Sequence, residues 1–532
     1  MVWSTVQDPA IQPRPPMGFN NWARFMCDLN QTLFTDTADA MLENGLLDAG
    51  YEYINIDDCW LEYSRAENGS LVWNSTLFPD GLIWLGEYLH ERGFKYGIYQ
   101  DAGNLTCGGY PGSRDYEDLD AKTFEAWGID YLKLDGCNVI NNTDPRPKVE
   151  QYRVLYEKWH KALEALDKPL VFSESAPAYF SPDFQTPPHS NNTDWYTIMK
   201  YMPEYGELAR HSNDVKIWGF DGIFEPGGHW DSIMTNYGHN TELARYQQKC
   251  GFYNDPDFLI PFPDLTEEEK RSHFSLWASF SAPLIISAYI PELPESDIKY
   301  LSNKDIIAVD QDSLCLQATL VSQDGYWDVL TKSLENGDRL LTVLNRGNNT
   351  NSTLIPLERV GISPDHSYSV KDLWTGKTFT VSKSISLHER PSHSTAVLRI
   401  RGRHAPKLDI TPTGMIFNTY TGHCLTTTRL GAQFETCNAS DEQIWQTTAQ
   451  GALTTLGARD TCLGHNERGN LKATACHAET GNVWTYYQTG NLMAGNSALC
   501  LAEAPSGQAV LEPCHPKADP QVLELPGGVT IH

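Results

Sequence analysis

Six carboxylates close short apolar runs of this chain: Asp57 and Asp58 after INI, Asp101 after YGIYQ, Asp135 after YLKL, Asp214 after RHSN and Asp257 after YNDP. Gathered in one place they would repel one another, so cations belong among them. Lys133 and Arg210 are the candidates, with Trp22 and Tyr99 as neighbouring aromatic faces. No His-x-x-x-His pair or calcium-loop spacing accompanies them, so no metal and no organic cofactor is expected. Aromatic rings, carboxylates and ammonium or guanidinium groups together suit a neutral polyol such as a sugar. The rings cover its C–H face and the polar groups bond its hydroxyls.

Within YLKLDGCN, Tyr131 to Asn138, side chains alternate if the run is a strand, and Lys133 then shares a face with Asp135. The cation is expected to hold Asp135 ionised, as a carboxylate nucleophile requires. A structural salt bridge would give the same spacing. Asp214, four residues after Arg210, is the candidate proton donor, and a helix N-cap shared with Asn213 is its structural alternative. Cleavage of a glycosidic bond needs such a pair, one carboxyl ionised and one able to give a proton.

These residues need a scaffold that brings strand ends together. From Pro15 to about residue 290, apolar runs alternate with helical patterns. Candidate strands are 17–22, 51–60, 95–103, 130–137, 170–175, 207–214, 249–257 and 282–289. Eight such units predict a closed parallel (β/α)₈ barrel over residues 10–310, with the polar endings at its C-terminal mouth. Short alternating runs then predict an antiparallel β-sandwich over 311–401, and RGRHAPK reads as a linker. Residues 408–532 repeat with a period near 38. The pairs Cys424 and Cys437, Cys462 and Cys476, and Cys500 and Cys514 each open with Cys-Leu. Three copies predict a three-fold β structure. All candidate catalytic residues precede it, so it is expected to be separable from catalysis.

The formal charge of −28 disfavours nucleic acid and anionic membrane surfaces as partners and leaves a neutral carbohydrate. Twelve cysteines and sequons at Asn30, Asn68, Asn74, Asn104, Asn141, Asn191, Asn348, Asn351 and Asn438 predict a secreted, extracellular glycoprotein. The first residues lack a basic n-region and an apolar h-region, so a leader is expected to have been removed. The sequence carries no statement of oligomeric state.

Taken in order, PPMGFNNWARFMC, INIDDCW, KYGIYQDAG, DYLKLDGC, RHSND and YNDPDF resemble the motifs of glycoside hydrolase family 27, from about Pro15 to Arg401. The resemblance implies a retaining exo-glycosidase with Asp135 as nucleophile and Asp214 as acid/base. It implies sugar contacts from Trp22, Asp57, Asp58, Tyr99, Cys107, Lys133, Arg210 and Asp257. It also implies disulfides Cys27 to Cys59 and Cys107 to Cys137, and leaves Cys250 and Cys315 unassigned. The family holds α-galactosidases and α-N-acetylgalactosaminidases. In SESAPAY, Ser173 to Tyr179, Ser175 and Ala178 match the small pair of the second class, with Tyr179 beside them. Terminal α-linked N-acetylgalactosamine is therefore the expected substrate, with an α-galactoside as the alternative. The C-terminal repeats resemble a ricin-type β-trefoil lectin module, with QIW and NVW as its Gln-x-Trp signature. Thr426, Gly464 and Ala502 stand where sugar-binding members carry aspartate, which favours a structural role for the module.

Overall fold

The computed structural model describes residues 11–182, 192–219, 227–402, 408–429, 431–466, 471–476, 483–495 and 497–532. The sequon at Asn191, the first residue of NVW and residues 403–407 of the linker lie outside them.

Eight parallel strands build the first layer: β1 (Met17–Asn20), β2 (Tyr53–Asn55), β3 (Lys95–Asp101), β4 (Tyr131–Asp135), β5 (Val171–Glu174), β6 (Leu208–Arg210), β7 (Tyr253–Asp255) and β8 (Leu284–Ile286). Their order is β7-β6-β5-β4-β3-β2-β1-β8. The seam between β7 and β8 is closed by Leu259, whose N–H donates to Ile285 O at 2.8 Å and whose carbonyl accepts from Ser287 N at 2.9 Å. Each candidate strand contains one of the eight, but the ladders are shorter than the apolar runs. The last residues of each run leave the ladder and enter the mouth, where their side chains become available for chemistry.

The barrel interior is filled tightly enough to dictate residue type. A Cβ on Gly97 would lie 1.9 Å from Asn55 Oδ1, so only glycine lets Asn55 occupy that layer. Outside, the Lys148–Glu164 helix shows how the cover is made. Tyr152, Leu155, Tyr156, Trp159, Ala162 and Leu163 recur at helical spacing and are buried.

Among the described residues, eight antiparallel strands between Thr319 and Gly402 form the sandwich around Val329, Leu341, Val343, Val370, Leu398 and Ile400. In the trefoil, the indoles of Trp445 and Trp484 donate to Leu425 O and Leu463 O at 2.6 and 2.8 Å. The third copy has Leu523 in the tryptophan's place. Its Gln521 still donates to Pro513 O at 2.9 Å, as Gln443 does to Thr436 O at 3.1 Å. The three modules share one apolar cluster, in which barrel residues pack with Leu340 and Val397 of the sandwich and Met415, Phe417 and Val522 of the trefoil.

Six disulfides cross-link the chain: Cys27–Cys59, Cys107–Cys137, Cys250–Cys315, Cys424–Cys437, Cys462–Cys476 and Cys500–Cys514. Cys250 and Cys315, unassigned by the sequence, meet at the foot of the barrel beside Tyr53, Tyr131 and Tyr253. Of the sequon asparagines described, Asn30, Asn68, Asn104, Asn141, Asn348 and Asn438 are exposed, and Asn74 and Asn351 are half-buried. No described helix is long and apolar enough to cross a membrane.

Candidate active site

A cavity of about 230 Å³ opens at the C-terminal ends of the strands, lined by Trp22, Asp57, Tyr99, Cys107, Lys133, Asp135, Cys137, Ser175, Ala178, Tyr179, Arg210, Asn213 and Asp214. Asp58 and Asp257 lie behind this wall. Asp58 is fully buried and accepts from Cys59 N at 2.6 Å and Gly108 N at 2.7 Å, tying the two mouth disulfides together. Burial pushes its carboxyl up to about 6 against the pull of those backbone donors.

Lys133 and Asp135 share the inner face of β4, but the ammonium bonds elsewhere. Its Nζ donates to Asp57 Oδ2 at 2.6 Å, so the direct ion pair is with the end of β2. Asp57 is only 1% exposed, whereas Asp135 is half-buried. Burial opposes the charge on Lys133, yet the carboxylates of Asp57, Asp135 and Asp214 outweigh it and raise the amine above its ordinary value. Asn20 adds a second donor to Asp57 Oδ2 at 2.8 Å.

Asp135 is oriented through one oxygen. Its Oδ1 accepts from Tyr179 Oη and, at 2.8 Å, from Gly136 N. Among the described residues, the polar neighbour of Oδ2 is Cys107 Sγ at 3.6 Å, a disulfide sulfur with no proton to give. Two tyrosines of the Lys148–Glu164 helix fix the backbone on either side of Asp135. Tyr156 donates to Leu134 O at 3.0 Å and Tyr152 to Gly136 O at 2.7 Å. Asp101 is buried beside them and accepts from Gly103 N at 2.6 Å and Cys137 N at 2.8 Å. Burial, then the charge of Asp135, pushes its carboxyl well above the usual range.

Asp214 is not a helix cap. It projects into the cavity with its side chain 38% exposed, accepting from Arg210 Nη2 at 2.5 Å on Oδ1 and from Trp22 Nε1 at 3.1 Å on Oδ2. Burial raises its carboxyl, but Arg210, Lys133 and the two donors outweigh that and hold it below the ordinary value. Arg210 also faces Asp257 at 3.5 Å. Asp257 adopts φ 79°, uncommon for a residue with a side chain, and accepts from Val215 N at 2.7 Å. Burial pushes it up to about 7, with Arg210 opposing and Asp214 and Asp255 adding.

The β5 end decides what surrounds one side of the cavity. Glu174 points away from it, fully buried, with neither carboxyl oxygen partnered and its protonated form favoured by burial. Alternation along the strand therefore turns Ser175 inward, with its Oγ lacking a partner in the structure and Ala178 next to it. Asp101, Cys107, Asp135 and Cys137 lie close enough together to suggest a metal site, but both cysteines are spent in one disulfide and offer no thiolate.

Comparison with known proteins matches residues 14–312 to the model of α-galactosidase A, 324–400 to the α-galactosidase C-terminal β-sandwich domain and 412–522 to the ricin-type β-trefoil lectin domain. The chain is 52% identical over 536 residues to α-galactosidase A of Aspergillus niger, covering 100% of this chain and 95% of that protein. It belongs to the α-galactosidase family, glycoside hydrolase family 27. Among solved structures, α-galactosidase I of Mortierella vinacea superposes with a TM-score of 0.64 at 27% identity, over 73% of this chain and 97% of that one. The Saccharomyces cerevisiae α-galactosidase solved with raffinose gives 0.63 at 26%, over 73% and 98%.

These relatives favour the alternative substrate over the expected N-acetylgalactosamine. The preference has a physical reason. A bulky pair at positions 175 and 178 would exclude an acetamido group, but a small pair excludes nothing. Vacant space discriminates weakly against a smaller substituent. The sequence reading also missed Asn20, Tyr152 and Tyr156. The two tyrosines had a signal, aromatic side chains four apart on a helix face, but nothing local says that their hydroxyls reach carbonyls flanking Asp135.

Proposed function

We propose that the chain is a secreted, retaining exo-α-galactosidase. The observation that carries this is the unequal treatment of two carboxyl groups in one small cavity. Asp135 has one oxygen held and the other open. Asp214 has both oxygens engaged by donors that favour its anion. In this reading, Asp135 Oδ2 attacks the anomeric carbon of a terminal galactosyl residue and Asp214 protonates the departing oxygen. Trp22 and Arg210 then stabilise the carboxylate that forms, which strengthens Asp214 as an acid and leaves it ready to activate water. The covalent glycosyl-enzyme on Asp135 is hydrolysed from the same side, with retention.

Asp57 and Lys133 are assigned to the sugar hydroxyls and Tyr99 to its neighbouring face, while Asp58, buried behind the wall, is assigned to holding that wall rather than to the sugar contact the resemblance implied. Cys107, Tyr179, Arg210 and Asp257 complete the surround. A volume of about 230 Å³ lies below the ~300–1,000 Å³ of pockets for larger ligands, which suits one pyranose ring and hence exo action. Six disulfides and exposed sequons support work outside the cell. The partnerless Ser175 hydroxyl beside Ala178 supports a second, slower activity on the 2-acetamido sugar.

Purified protein should release nitrophenol from the aryl α-galactoside faster than from its 2-acetamido analogue. Proton NMR of the first product should show the α-anomer of free galactose. A β-anomer, or preference for the acetamido substrate, would overturn the respective part of the assignment.

A further inference from the structure

The trefoil is not a free appendage, and its contacts fall on an element that reaches the catalytic cavity. Asp519 accepts the backbone N–H of Asn192 on both carboxyl oxygens, at 3.0 and 3.2 Å. Thr193 Oγ1 donates to Lys517 O at 3.1 Å, and the buried Tyr196 hydroxyl meets Thr419 Oγ1 at 2.6 Å. These residues lead into or belong to the short helix Thr193–Met199. Nearby, Arg245 is locked to Glu524 at 2.9 Å with both side chains almost wholly buried, and the Tyr486 hydroxyl donates to the same carboxylate at 3.0 Å.

The inner side of that helix touches both halves of the site. Trp195, fully buried, donates from Nε1 to His211 O at 3.0 Å, one residue beyond Arg210 and three before Asp214. The same helix packs on the turn Ala176–Phe180, which carries Ala178 and Tyr179, and Tyr179 bonds the Asp135 carboxyl. A seven-residue helix has little rigidity of its own. Its position is set by what holds it, and on its outer side that is the trefoil.

The trefoil's own ligand positions point the same way. Thr426, Gly464 and Ala502 are buried, and Thr426 Oγ1 is taken by Gln443 Nε2 at 3.0 Å. None of the three presents a carboxylate to solvent.

We infer that the trefoil is a positioning module for catalysis, holding the Thr193–Met199 helix so that Tyr179 and Asp214 meet the substrate in register. The inference rests on the cavity being the active site of an α-glycosidase. Reacting groups must be placed to within a fraction of an ångström, so a slackened support lowers turnover without removing any reacting group.

The test uses full-length chain bearing Asp519→Ala, Asp519→Asn or Thr419→Val, assayed on the aryl α-galactoside and its 2-acetamido analogue well below each variant's Tm. Asp519→Ala should lower kcat about three- to ten-fold with less change in KM. Asp519→Asn keeps an acceptor oxygen and should restore kcat to within about two-fold of wild type. Thr419→Val removes the partner of Tyr196, together with that hydroxyl's own bond to Val522 O at 3.2 Å, keeps the module's shape, and should lower kcat in the same direction if Asp519→Ala does not fold. Unchanged kcat in Asp519→Ala with a lowered Tm would make the contact merely structural and overturn the inference, as would equal losses in the Ala and Asn variants. Wild-type protein inactive on both glycosides would instead overturn the proposed function, and this inference with it.

Discussion

Replacing Trp22 by phenylalanine keeps an aromatic face at the cavity wall and deletes one bond, the 3.1 Å donation from Nε1 to Asp214 Oδ2. A hydrogen bond to a charged group contributes about 1.5–3 kcal/mol. Asp214 is 38% exposed, so solvent screens it and the low end applies. At about 1.4 kcal/mol per pKa unit, losing this donor should raise the Asp214 pKa by roughly one unit. Asp214 must be protonated to assist departure, so kcat/KM should fall on the alkaline side as it loses that proton, and Arg210 and Trp22 favour the loss. In Trp22→Phe that alkaline limb should move up by about one pH unit. The substrate should be an α-galactosyl disaccharide, because a nitrophenolate leaves with little help and hides the acid. An alkaline limb that stays still or moves down would refute Asp214 as the proton donor held by Trp22.

Asp135→Asn should reduce turnover by several orders of magnitude with an unchanged circular dichroism spectrum, since the amide keeps the bonding geometry but cannot form the glycosyl-enzyme; substantial residual turnover would reassign the nucleophile. Ser175→Glu with Ala178→Leu should suppress activity on the 2-acetamido glycoside relative to the galactoside by roughly 100-fold, read as a ratio of kcat/KM values. An unchanged ratio would place the 2-substituent elsewhere. Thermal stability should fall as pH rises from about 4 to about 7, because Asp58 and Asp257, pushed to about 6 and about 7, retain protons in the folded chain that an unfolded aspartate has lost by about pH 4. Asp214 has the opposite sign: its contribution is present above its unfolded pKa and is lost only as pH falls through its lower folded value. Melting curves across pH 4–8 check this, and a Tm higher at pH 7.5 than at pH 5 would refute it.

The sequence by itself determined the scaffold and the inventory of the site. Eight apolar runs with polar ends can be satisfied by a parallel barrel whose mouth collects those ends, and side-chain alternation in SESAPAY was enough to turn Ser175 inward and Glu174 away. These are short-range rules, carried by the chain's own geometry. The tertiary structure decided which partner each group found. Lys133 and Asp135 are two apart in sequence, yet the ammonium bonds Asp57, 76 residues away, because β2 delivers a buried carboxylate closer to it. A helix cap was the structural alternative for Asp214, and only the approach of Trp22 from just beyond β1 and the reach of Arg210 gave its carboxyl two donors in the cavity. Cys250 and Cys315 carried no local pattern, and folding brought them together at the foot of the barrel. The trefoil's attachment was equally hidden: a period of Cys-Leu repeats encodes a three-fold module, but its outer polar residues do not say what they will meet. Asp519 and Glu524 found Asn192 and Arg245 because packing placed complementary surfaces together over sequence separations of 327 and 279 residues.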